Sequence, residues 1–147
     1  MKLLAALPLL LPAVHAMFCE DFTLNVVTDE YNNAVVLKSL DYPGYYAVNT
    51  LGGPGVIFKF GNDNILVDSD QVSLIVDEFG YMREALTAEK PTTGFFFDNY
   101  NLKLASGDFY ACRLLQPGIL GLRVGYQQDC TKVELVKARP YLLDCTV

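Results

Sequence analysis

The sequence predicts an all-β fold: a single compact antiparallel β-barrel or sandwich with at most one or two short helices. Three observations predict it. The apolar residues fall in short segments, several alternating with period two, and clusters of Gly, Pro, Asn and Asp interrupt them about every 8 to 12 residues. No long run keeps the 3.6-residue period of an amphipathic helix.

Phe22-Thr23-Leu24-Asn25-Val26 alternates and is the first expected strand; Asp29-Glu30-Tyr31-Asn32-Asn33 turns the chain before a second over residues 34–40. Asp41-Tyr42-Pro43-Gly44 is a Pro-Gly turn leading into Tyr45-Tyr46-Ala47-Val48, and Gly52-Gly53-Pro54-Gly55 is a loop before Val56-Ile57-Phe58-Lys59-Phe60. Gly61-Asn62-Asp63-Asn64 turns again into Ile65-Leu66-Val67, and a further strand is expected over residues 72–76. The stretch from Glu78 to Lys90 carries Met82, Arg83, Glu84, Ala85, Leu86, Ala88 and Glu89, good helix formers ended by Pro91, and predicts one short helix. Strands resume at Phe95-Phe96-Phe97, Leu102-Lys103-Leu104, residues 109–115, residues 120–126 and Val133-Glu134-Leu135-Val136.

Residues 1–16 read as a signal peptide: Lys2, an apolar stretch, and Val14-x-Ala16 as the cleavage signature. A membrane span needs about 20 uninterrupted apolar residues, and Pro8, Pro12 and the pair Glu20-Asp21 close this run too early. The expected mature chain, residues 17–147, is of single-domain length. Its ten basic residues face seventeen acidic ones, a net charge of −7, which argues against nucleic acid or anionic lipid as partner. The signal segment leads to an expected extracellular location, and the sequence admits a homodimer.

Four cysteines in an oxidising compartment point to two disulfides. Three connectivities exist, and we favour Cys112 with Cys130 and Cys19 with Cys145, the first closing a local loop and the second tying the termini. No C-x-x-C spacing occurs, so neither a metal site nor a redox pair is expected.

The only histidine, His15, lies in the signal segment, so the mature chain can build no Ser-His-Asp or Cys-His catalytic set. No G-x-S-x-G, H-E-x-x-H or phosphate-binding loop occurs, and no cofactor is expected. The acidic group Asp63, Asp68, Asp70, Asp77 and Glu78 fails the spacing of a calcium loop, since Val72 and Ser73 stand at its fifth and sixth positions. A glycosidase pair of carboxylates is an alternative that only geometry can decide. No Asn-x-Ser/Thr sequon is present. Tyr42, Tyr45 and Tyr46 beside the Pro-Gly turn are the candidate surface binding residues, suited to sugar stacking or a protein contact, with Phe96 a further candidate if it faces outward.

The C-terminal third carries a resemblance. Phe109-Tyr110-Ala111-Cys112, Gln128-Asp129-Cys130, Val133-Glu134-Leu135-Val136 and Asp144-Cys145 resemble, in order and spacing, the four-cysteine C-terminal domain of fungal cell-wall proteins with internal repeats. The glutamine-rich repeats through which those proteins link to glucan are missing here, which implies a freely diffusing form. Size, signal and acidity are also similar to those of small secreted fungal effectors or elicitors of the plant hypersensitive response. These likenesses imply a noncatalytic protein acting at the fungal wall or in the plant apoplast, with a plant receptor or a wall polysaccharide as partner. A carbohydrate-binding module is the alternative, followed by a carboxylate-dependent glycosidase and a barrel carrying a small ligand in a hollow interior.

Overall fold

The computed structural model describes residues 20–31, 33–39, 42–113 and 120–139. Within them the chain is all-β. The strands are β1 (Thr23–Val27), β2 (Ala34–Lys38), β3 (Tyr46–Asn49), β4 (Phe58–Phe60), β5 (Leu66–Asp68), β6 (Leu74–Val76), β7 (Met82–Glu84), β8 (Phe96–Asp98), β9 (Asn101–Lys103), β10 (Phe109–Arg113), β11 (Leu120–Val124) and β12 (Cys130–Ala138).

Six of them close into an antiparallel barrel in the order β1-β2-β3-β11-β10-β12, with β12 returning to β1 over the register Thr23↔Ala138 to Val27↔Glu134. Closure leaves these strands no free edge to aggregate through. Period-two alternation then decides what lies inside. Leu24 and Val26, Ala34 and Val36, Tyr46 and Val48, Phe109 and Ala111, and Val133 and Leu135 are all buried, each pair two residues apart on its strand. A six-stranded barrel is narrower than the eight-stranded kind that can hold a small ligand, and these side chains fill it.

At one end the barrel splays. β1 and β2 pair only at Asn25↔Val35 and Val26↔Ala34, and β3 and β11 only at Leu120↔Val48 and Gly121↔Ala47. The chain between β3 and β10 enters these gaps. Phe58 bridges to Phe22, the Val56 amide donates to the Val36 carbonyl at 2.9 Å, and Tyr81 and Arg83 bridge to Arg123 and Tyr45. Hairpins β4–β5 and β6–β7 thus cap this end, joined by a Val67↔Ser73 bridge, and bring Phe58, Leu66, Leu74 and Met82 into the core. A third hairpin, β8–β9, docks on β12 through Val136↔Asn101.

One local expectation is overturned. The stretch 78–90 is not a helix: Met82–Glu84 is strand β7, and Asp77 shapes the turn before it. Met82 is 1% exposed, and its burial together with cross-strand pairing outweighs helix propensity, which is only a weak preference. Residues 62–64 form the one short 3₁₀ turn among the described residues, where the sequence placed a turn. Cys112 and Cys130 face each other across β10 and β12 and form a disulfide with Cα atoms 4.2 Å apart. Cys19, Cys145 and the signal segment lie outside the described residues.

Candidate functional site

The three clustered tyrosines do not make one exposed platform. Successive residues of a strand point to opposite faces, so Tyr45 and Tyr46 cannot share one. Tyr46 is 1% exposed inside the barrel, its ring 5.4 Å from that of Phe58 and its hydroxyl donating to Asp68 Oδ2 at 2.8 Å. It is therefore a core residue and not a surface one. Tyr45 is half-buried, with its hydroxyl 3.4 Å from Asp77, and Tyr42 is half-buried in the turn, its amide donating to Ser39 Oγ at 3.0 Å. Phe96 is 45% exposed on β8, on the face opposite Phe97, which packs edge-on against Phe22 and Phe60.

Of the acidic group, Asp68 and Asp77 are drawn into the fold, whereas Asp63, Asp70 and Glu78 stay exposed. Asp68 is buried where the β2–β3 hairpin meets β5, and its carboxylate accepts from Tyr46, from Lys38 Nζ at 2.9 Å and from the Asp70 amide at 2.9 Å. Lys38 also reaches Asp70 at 2.5 Å and Glu84 at 3.5 Å. Burial pulls the Lys38 ammonium towards deprotonation, but hydrogen bonds to Asp70 and Asp68 and the nearby charges outweigh it, and the pKa lies well above the ordinary lysine value. Lys38 is thus a fixed cation and no nucleophile. Burial, then the hydrogen bond to Asp68, also raises Tyr46 well above a normal phenol. A second cluster joins Arg83 to Glu89 by a two-pronged bridge, 2.6 Å at each prong, with Asp77 3.5 Å away. The fork, helped by the Leu86 amide, holds the Glu89 carboxyl down at about 2. Among the described residues no three His, Cys, Asp or Glu side chains group as metal ligands would.

The exposed chemistry lies on the outer barrel face around Arg123. Leu122 and Val124 point inward from β11, so Arg123 points out. Tyr81 bridges to it on one side and Tyr110 pairs with it on the other. Its guanidinium donates from Nε to the Phe79 carbonyl at 3.1 Å and from Nη1 to the carbonyls of Gly125 and Tyr126, the latter at 3.2 Å, while Cζ stands 5.9 Å from the Tyr81 ring centroid. One side chain therefore pins two loop backbones.

The residues so held are aromatic and exposed. Phe79 is 66% exposed and Tyr126 72%, and the Tyr126 ring stands edge-on to Tyr110 at 5.9 Å. The Phe79 turn is braced a second time, because Asp77 Oδ1 accepts from the amides of Phe79 at 3.0 Å and Tyr81 at 2.9 Å. Gly80 sits at φ +89, and a Cβ there would lie 2.9 Å from the Val124 carbonyl oxygen and 3.2 Å from Arg123 Cζ, so the turn needs glycine. Rings that project from braced backbone lose little entropy on contact, which suits them to binding.

Sequence reading missed this site. Phe79 was absorbed into the expected helix, and Tyr110 and Arg123 into expected strands. The available signal was Asp77-Glu78-Phe79-Gly80, an Asp followed by Gly three residues on, which favours a side-chain-capped turn with an aromatic at its tip.

Comparison with family models, with curated proteins and with solved structures finds no match to this chain. Among the described residues no helix is long and apolar enough to cross a membrane.

Proposed function

We propose that this protein is a secreted, noncatalytic β-barrel that acts at the fungal cell wall or in the plant apoplast, as an effector or elicitor recognised through its outer surface. The observation that carries the reading is the Arg123 platform: exposed aromatic rings held rigid on the outside of a filled barrel. Export rests on the signal-like residues 1–16, and the fungal setting on the resemblance around Cys112, Cys130 and Cys145. The buried position of Asp68, with Lys38 as a locked cation, speaks against a carboxylate-dependent hydrolase built on that group.

Infiltration of the purified, oxidised protein into leaves of a host panel tests the reading. Local cell death at micromolar dose is expected, and it should survive neutralisation of the exposed acids Asp63→Asn and Glu78→Gln. Absence of any response across the panel would count against it.

A further inference from the structure

We infer, resting on the surface reading above, that the Arg123 platform holds an uncharged polysaccharide strand, stacked on its exposed rings. Shape limits the occupant first. The outer face of a closed barrel is convex, whereas a small molecule is retained by a concave site that buries most of its surface. An extended polymer can lie across such a face.

Charge limits it next. Arg123 is bound by backbone carbonyls and faces Tyr81, Lys132 is bridged to Asp108 at 3.3 Å, and Asp77 is bridged to Arg83 at 3.5 Å. Glu78, exposed beside Phe79, and the acidic balance of the whole chain repel polyanions. What the platform offers instead is apolar ring face rimmed by hydroxyl groups. Among the described residues the phenols that hydrogen-bond to protein are those of Tyr45 and Tyr46, and the hydroxyls of Tyr81, Tyr110 and Tyr126 have no partner among those residues. A pyranose presents the complementary pattern, a C–H face bordered by hydroxyls.

Arrangement points to a strand of several sugars. Tyr81 and Tyr110, half-buried and with one Tyr81 face taken by Arg123, stand on the two elements flanking Arg123, two strand spacings or about 10 Å apart, in a row that crosses the barrel strands. Phe79 and Tyr126 extend the apolar surface beyond that row.

Affinity electrophoresis of the oxidised full chain through gels containing a neutral β-1,3-glucan, hydroxyethyl cellulose or glycol chitin tests the inference. Retardation in at least one gel is expected, unchanged between about 0.05 and 0.5 M NaCl because an uncharged occupant is not screened. Phe79→Ala/Tyr126→Ala should weaken it by about tenfold or more, the scale of losing a central aromatic contact, and the single exposed change Tyr126→Ala should weaken it measurably. Leu51→Ala, exposed on the turn after β3, should match the wild type. No retardation in any gel, retention that salt abolishes, or equal retention by the double variant would each overturn the inference. The leaf assay separates the two readings. A double variant that loses the leaf response, from a wild type that binds none of the gels, leaves the surface reading standing with a protein partner. A double variant as active as wild type in leaves rejects the surface reading itself.

Discussion

The Lys38–Asp68–Tyr46 network and the Arg123 platform use similar residue types to opposite ends. In the first, charges turn inward: the Asp68 side chain is fully buried, Lys38 bridges three carboxylates, and a tyrosine hydroxyl completes the set where the β2–β3 hairpin meets the capping strands. In the second, a cation faces backbone carbonyls and the aromatic rings are left in solvent. A buried charge is costly when its partner is removed, whereas an exposed ring contributes little to stability and is free for contact. Buried acids such as Asp68 and Asp77 thus tie the fold together, whereas the exposed rings of Phe79 and Tyr126 are left free for contact.

The largest effect that would test the contrast is at Asp68. Asp68→Ala should cost about 3–5 kcal/mol in chemical denaturation, because it leaves the Lys38 ammonium and the Tyr46 hydroxyl without their buried acceptor. A loss under about 1 kcal/mol would mean that the network is not a structural tie. Tyr46→Phe should cost less, about 1.5–3 kcal/mol, the worth of a hydrogen bond to a charged acceptor.

The same network sets an alkaline limit. Tyr46 is raised above its unfolded value, so the folded state holds its proton more tightly; the contribution is complete below about pH 10 and fades as pH rises beyond it. Denaturation midpoints measured from pH 8 to 11 should fall for the wild type and fall less for Tyr46→Phe. Parallel decline in both proteins would assign the alkaline limit to other groups.

The smallest effect is at Glu89. Its carboxyl is depressed to about 2, so what it contributes is present above the ordinary carboxylate range near pH 4.5 and is lost as pH drops towards 2. Thermal scans should show Glu89→Gln slightly below wild type at pH 6, with the gap closing by pH 2. A gap that persists at pH 2 would place the role of Glu89 in packing and not in its charge.

Period-two alternation and turn residues made the barrel legible, because inward positions such as Leu24, Val26, Val133 and Leu135 recur at the spacing a pleated strand imposes. The Cys112–Cys130 pair was legible from sequence proximity. The same alternation separates Tyr45 from Tyr46, and reading the three tyrosines as one patch overlooked it. The burial of Asp68 was not legible, since its partners Lys38 and Tyr46 lie far from it in sequence and meet it only when the capping hairpins enter the splayed barrel. The platform was hidden for a similar reason: Arg123 and the Phe79 carbonyl are 44 residues apart, and local propensity favoured a helix where a tertiary contact braces a turn.

If the outer aromatic face makes the functional contact while the interior only holds it in place, the leaf response should depend on Phe79 and Tyr126. The dose-response of leaf cell death to wild type and to Phe79→Ala/Tyr126→Ala, at matched thermal midpoints, tests it most directly. The double variant should keep its midpoint, as substitutions at exposed rings do, and lose the response. A folded double variant that elicits cell death at the wild-type dose would contradict it.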